Sequence, residues 1–224
     1  MPSAAGGGHE LVPLEPVSSL QMNFFDYFQI ASVVIFLVIM VAKIFYLRLS
    51  RNINPIAIGG GKTGFRLAVE LISFSSLLLW MVEVLLYAFH SGFRIFPSPL
   101  HVQLVSSQPV KLVGVALASL GLAIFASAYF SFGDSWRVGF DVKSPGALVT
   151  KGIFSVSRNP IYLSLDLLFM GVFLINGTLI FLIFAALAIA NMHWQIRQEE
   201  EFLSNLYGQP YRNYCARTGR YFIR

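Results

Sequence analysis

The feature that most limits what this chain can fold into is a series of apolar runs, each closed by basic or turn-forming residues. Phe24 to Leu47, Phe65 to Phe89 and Leu112 to Phe132 are long enough to cross a bilayer. A helix rises about 1.5 Å per residue, so about 20 residues cover a hydrocarbon core of about 30 Å. Ile161 to Ile175 and Thr178 to Trp194 are shorter and flank Asn176-Gly177, a turn that makes them a helical hairpin with both ends on one side. Hydrophobic residues make up 56% of the 224 and charged residues 12%, far more apolar than a soluble domain of this size needs for its core. The expected fold is all-α: a polytopic transmembrane helix bundle of about five spans, the last two a hairpin.

Lys and Arg are distributed unevenly between the loops. Fourteen of the 16 fall on the side of the C-terminus, and only Arg94 and Lys111 on the other. By the positive-inside rule this predicts a multi-pass protein with its N-terminus outside and its C-terminus in the cytoplasm. Because the basic residues sit in short loops between apolar runs, the net charge of +5 is read as orientation and not as a nucleic-acid face. Met1 to Glu10 has no charged n-region followed by an apolar core, so no cleaved signal peptide is expected. The single cysteine, Cys215, excludes an intramolecular disulfide and suits a reducing compartment. No metal is expected, since His90, His101 and His193 have no ligand spacing.

Residues 1–22 carry Gly6-Gly7-Gly8, Pro13 and Pro16 and few large side chains, the composition of a flexible segment. Gly59-Gly60-Gly61-Lys62-Thr63 invites comparison with a phosphate-binding loop, but Ile56 stands where that motif needs its first glycine. Glu70 has ion-pair spacing to Arg66. Glu83 and Asp166 lie deeper in apolar runs, each either a site residue or a structural hydrogen-bond partner. The third run is rich in small residues, Gly114, Ala116, Ala118, Gly121, Ala123 and Ala126, which let helices approach closely.

Two polar stretches flank the hairpin. The first, 133–160, ends in Ser157-Arg158-Asn159-Pro160, a helix start with Ser157 or Asn159 as cap and Pro160 at the first helical position. Free amides beside an arginine favour an anion. The second is Glu199-Glu200-Glu201, where the last arm runs on to about Leu206 before Gly208-Gln209-Pro210 stops it. Because the hairpin returns, both stretches are predicted to meet on one membrane face.

Leu148-Val149-Thr150-Lys151-Gly152, Arg158-Asn159-Pro160-Ile161-Tyr162, Glu199-Glu200-Glu201-Phe202-Leu203 and Tyr207-Gly208-Gln209-Pro210-Tyr211-Arg212-Asn213-Tyr214 follow one another in an order and spacing that carry a resemblance. Over about residues 133–222 the chain resembles the isoprenylcysteine carboxyl methyltransferase and phospholipid methyltransferase family of integral membrane enzymes. The resemblance implies S-adenosylmethionine as cofactor, a lipophilic acceptor from the bilayer (prenylated or lipid-like), and a cytoplasmic cofactor pocket built by the C-terminal part without a Rossmann fingerprint. It divides the chain into the flexible segment 1–22, three N-terminal helices over 23–132 and a catalytic region over 133–224.

By the same resemblance, Leu148, Val149, Thr150 and Gly152 contribute backbone contacts to the cofactor. Arg158, with the cap region and Pro160, holds the methionine carboxylate or orients the substrate. Glu199 or Glu200 accepts from the cofactor's amine or ribose hydroxyls. Tyr162, Tyr211 and Tyr214 line the adenosine or face the sulfonium. Arg158, Asn159 and Glu200 are the implied catalytic set. Two positions depart from the pattern: Asn159 stands for a histidine and Ser164 for a glycine. Asn carries no proton at neutral pH, which favours acceptors that need little proton removal. A sterol- or steroid-type reductase using NADPH, and a non-catalytic membrane scaffold, are the alternatives.

Overall fold

The computed structural model describes residues 21–52, 64–133 and 147–222. The N-terminal segment before residue 21, the Gly59 to Thr63 loop and positions 134–146 of the polar segment lie outside the described residues. Among the described residues six α-helices follow one another: α1 (Phe24–Arg51), α2 (Gly64–Ala88), α3 (Gln108–Phe132), α4 (Pro160–Asn176), α5 (Leu179–Tyr207) and α6 (Gln209–Arg217). Short 3-10 turns at Ser98–His101 and Gly152–Ser155 precede α3 and α4. No strand occurs among the described residues. α1, α2, α3 and α5 are long and apolar enough to cross a membrane, and α4, with 17 residues, is a shorter apolar helix. The chain is therefore a multi-pass, all-helical protein, with large apolar side chains such as Ile72 and Phe130 turned outward to where lipid replaces water.

Local sequence sets the helix ends. The Asn23 side chain accepts from the amides of Phe25 and Asp26, while Asp26 accepts from the Asn23 amide at 2.8 Å, a reciprocal cap. Arg48 and Arg51 oppose the dipole at the other end. The hairpin turn forms where expected, with Gly177 at φ 64, a conformation that favours glycine. α5 ends at Tyr207 as the Gly208-Gln209-Pro210 signal predicts. The same Pro210 then opens α6 within its first turn, a start that the sequence reading did not make.

Small residues bring α3 and α4 together as antiparallel neighbours. A Cβ at Gly114 would lie 2.6 Å from the Gly171 carbonyl, and one at Gly121 2.7 Å from the Ser164 carbonyl. Ser164 fits this crossing because its hydroxyl turns back onto the Ile161 carbonyl at 2.6 Å and Gly121 leaves room opposite. Around this pair the core closes with Trp80 against Phe169 and Phe36 against Phe125.

Polar cross-links sort the helix ends into two sides. At one, Asp26 meets His90 at 2.9 Å, the Asn176 amide donates to Gln29 at 2.6 Å, and the amides of Leu104 and Val105 donate to the Gly177 carbonyl. At the other, Lys43 Nζ donates to the Tyr129 carbonyl at 3.0 Å and Asn191 to Ser73 Oγ at 2.8 Å. The starts of α2 and α4 and the ends of α1, α3 and α5 thus share one side. Glu83, fully buried, belongs to the opposite half: its Oε1 lies 3.9 Å from His101 Nδ1 and neither carboxylate oxygen has a hydrogen-bond partner. It is neither part of the cluster around Glu200 nor a hydrogen-bonded structural carboxylate.

Candidate active site

The segment leading into α4 is fixed from below and from the side. Gly152, at φ 64, opens the 3-10 turn against the Ser131 side chain of α3, and Phe154 is buried edge-on against the Phe132 ring. Asn159 occupies the cap position of α4 with Pro160 following it, but its side chain makes no cap. Ser157 Oγ accepts from the Asn159 amide at 3.2 Å instead. The Asn159 side chain is thereby free to turn across to α5, which is why the expected side-chain cap is absent.

What it reaches is Glu200. Oε1 of Glu200 accepts from Asn159 Nδ2 at 3.1 Å and pairs with Arg158 Nη2 at 3.2 Å. Oε2 accepts from Arg220 Nη2 at 2.6 Å and Nε at 3.1 Å. One carboxylate thus joins the start of α4, the end of α5 and the C-terminal tail. The Glu200 and Arg158 side chains are only 13% and 15% exposed, so water screens their pairing weakly. One turn into α4, Tyr162 donates its hydroxyl to Glu199 Oε2 at 2.9 Å.

The tail is laced to the same segment. The Arg158 amide donates to the Gly219 carbonyl at 3.0 Å, and Ser157 Oγ and Asn159 Nδ2 donate to the Arg220 carbonyl at 3.2 and 3.3 Å. Tyr214 donates to the Phe154 carbonyl at 2.6 Å. Tyr211 and Tyr214 are buried. Burial holds both phenols above the ordinary tyrosine range, Tyr214 at about 12, so both are neutral at physiological pH. The hydrogen bonds to Glu200 raise the Arg220 guanidinium above its already high value.

The residues expected to form the site divide into two groups. Arg158, Asn159, Tyr162, Glu199 and Glu200 converge, and Tyr211 lies in the field of both Arg158 and Glu200. Leu148, Val149 and Thr150 are half-buried irregular backbone, Gly152 is exposed, and Pro160 is buried. None of these five makes a hydrogen bond to Glu200. Arg220, the strongest partner of Glu200, is missing from the sequence reading, as is the contact of Tyr221 with His193. No motif marks either, because both depend on the tail folding back over α4.

One donor of the cluster is left unsatisfied. Arg158 Nε is buried and has no hydrogen-bond partner, a donor whose desolvation costs about 1–3 kcal/mol unless something accepts from it. Two guanidiniums, those of Arg158 and Arg220, share the one Glu200 carboxylate. No group of His, Cys, Asp or Glu among the described residues could hold a metal ion.

Residues 110–210 match the family model described as phospholipid methyltransferase. The match takes in α3, α4, α5 and the first turn of α6, and so contains Arg158, Asn159, Tyr162, Glu199 and Glu200. No curated protein matches the chain. The match agrees with the resemblance read from the sequence, and neither the reductase nor the scaffold reading gains support from it.

Proposed function

We propose, from the premise that residues 110–210 belong with the phospholipid methyltransferase family, that this protein transfers a methyl group from S-adenosylmethionine to a lipophilic acceptor, prenylated or lipid-like, drawn from the bilayer. The observation that carries the reading is the Glu200 cluster, in which two distant motifs of the family pattern meet at hydrogen-bond distance beside an unsatisfied guanidinium N–H. When bound, S-adenosylmethionine supplies an electrophilic methyl group on a sulfonium.

The residues present fit that molecule. Arg158, with its spare buried donor, donates to the methionine carboxylate. Glu199, already oriented by Tyr162, and the remaining lone pairs of Glu200 take its amine or ribose hydroxyls. The neutral rings of Tyr162, Tyr211 and Tyr214 offer faces that attract a cation. Leu148, Val149, Thr150 and Gly152 offer backbone groups. Asn159 keeps Glu200 aimed at the start of α4 and cannot itself carry a proton. Residues 133–224 form the catalytic region in this reading, on the cytoplasmic side to which fourteen of the 16 Lys and Arg residues point. Acceptors with lipophilic tails enter sideways from lipid.

The test is label transfer. Protein in lipid nanodiscs, incubated with S-adenosylmethionine tritiated in its methyl group, is expected to label the extracted lipid fraction, and Arg158→Ala is expected to remove most of the label. Wild-type protein that binds the cofactor and labels neither lipid nor prenylated peptide would overturn the reading. Tyr162→Phe removes one hydrogen bond to Glu199 and is expected to cost about 1 kcal/mol, about fivefold in cofactor affinity. Titration calorimetry measures it.

A further inference from the structure

We infer that Arg220 is a displaceable plug in the cofactor seat: the ammonium group of S-adenosylmethionine reaches Glu200 by exchanging places with the Arg220 guanidinium. This rests on the methyltransferase reading above. The C-terminal tail then competes with the cofactor for Glu200 instead of helping to hold it.

The carboxylate is already fully engaged. Among the described residues four hydrogen bonds end on it, about as many as its lone pairs can take. One comes from Asn159 Nδ2 at 3.1 Å. The other three come from Arg220: Nη2 to Oε2 at 2.6 Å, Nε to Oε2 at 3.1 Å and Nε to Oε1 at 3.3 Å. The lone pairs that the reading above gives to the cofactor are therefore the ones Arg220 holds, and a new donor must displace an old one.

Exposure decides which partner gives way. Asn159 is buried, and its Nδ2 also donates to the Arg220 carbonyl. The Arg158 side chain is 15% exposed, against 40% for Arg220. A guanidinium that leaves its carboxylate must be hydrated again or bear the cost of a buried unpaired charge, and only Arg220 has water beside it to this extent. Its backbone need not move. Ser157 Oγ and Asn159 Nδ2 hold the Arg220 carbonyl at 3.2 and 3.3 Å, and the Arg158 amide holds the Gly219 carbonyl at 3.0 Å. The exchange is thus a swing of one side chain over a tail that stays in place. An alkylammonium carries the same charge and three N–H donors, so one cation replaces another and Glu200 keeps a positive partner besides Arg158 throughout.

The experiment titrates S-adenosylmethionine by calorimetry into the full chain in nanodiscs, as wild type, Arg220→Gln and Arg220→Lys, and melts the same samples without cofactor. A partly exposed ion pair is worth up to about fivefold in an equilibrium constant. Arg220→Gln is expected to bind the cofactor about fivefold more tightly than wild type and yet to melt at a lower temperature. The signs are opposite because the contact that steadies the protein is the one the cofactor must break. A lysine keeps the charge but makes fewer bonds to the carboxylate, so Arg220→Lys is expected between the other two in affinity. It also decides the matter should the glutamine variant fail to fold. If Arg220 instead aligned Glu200 for the cofactor, affinity and melting temperature would fall together. An affinity at or below that of wild type in the folded variants overturns the inference, while binding seen only in Arg220→Gln is the extreme form of the expected result. Absence of binding in all three proteins is a different outcome: it removes the methyltransferase reading itself and this inference with it.

Discussion

Glu200→Gln is expected to weaken S-adenosylmethionine binding at least tenfold, about 1.4 kcal/mol, and to lower the melting temperature of the protein. The glutamine keeps the size and one acceptor of the native side chain but removes its charge. Arg158 and Arg220 then face each other across a neutral amide, and the Arg158 side chain, only 15% exposed, has little water to screen it. Removing one partner of a buried ion pair costs about 3–5 kcal/mol. Arg220, at 40% side-chain exposure, can turn toward solvent, so the loss of stability should fall below that range. Arg158→Ala should weaken the cofactor at least as much with less effect on melting, since Glu200 keeps Asn159 and Arg220 as partners. Calorimetry and thermal melting in the same detergent separate the two effects. Unchanged affinity in both variants would remove the site assignment.

Gly171→Val is expected to be the most damaging single substitution in the helical core, lowering stability by about 3 kcal/mol or preventing insertion of folded protein. A Cβ at this position lies 2.7 Å from the Ala118 amide and 2.7 Å from the Gly114 carbonyl. Both contacts are backbone atoms of α3, so no side chain can swing away. α4 would have to move, and α4 carries Arg158 and Asn159 at its start, so cofactor binding should fall with stability. Gly92→Ala is the control: nothing lies within 4 Å of its added Cβ, and it should melt as wild type. Equal melting of Gly171→Val and wild type would show that the α3 to α4 crossing is looser than described.

These two positions also mark what could be read from the sequence and what could not. The glycines and alanines of α3 were legible because, without a hydrophobic drive between helices in lipid, close approach needs small side chains. The hairpin was legible from Asn176-Gly177, and with it the meeting of Arg158 and Glu200 on one side. Both are local signals. The turn of Asn159 away from its cap was not legible, since a cap residue reads the same whether or not a distant acceptor competes for its side chain. Arg220 was hidden for a related reason. It is twenty residues from Glu200 in sequence and is brought back by bonds from the Arg158 amide and the Ser157 and Asn159 side chains, which no periodicity encodes. Glu83 could not be assigned from the sequence, because depth in an apolar run fits a site residue and a structural partner equally, and only the fold places it in the half away from Glu200.

Arg158 and Glu200 are expected jointly to form the seat of a charged adenosyl cofactor. Titration calorimetry of S-adenosylmethionine into the full-length wild-type protein in nanodiscs tests this most directly. The expected result is saturable binding at one site per chain, reduced at least tenfold by Arg158→Ala and by Glu200→Gln. No heat of binding to the folded wild-type protein at millimolar cofactor would contradict it.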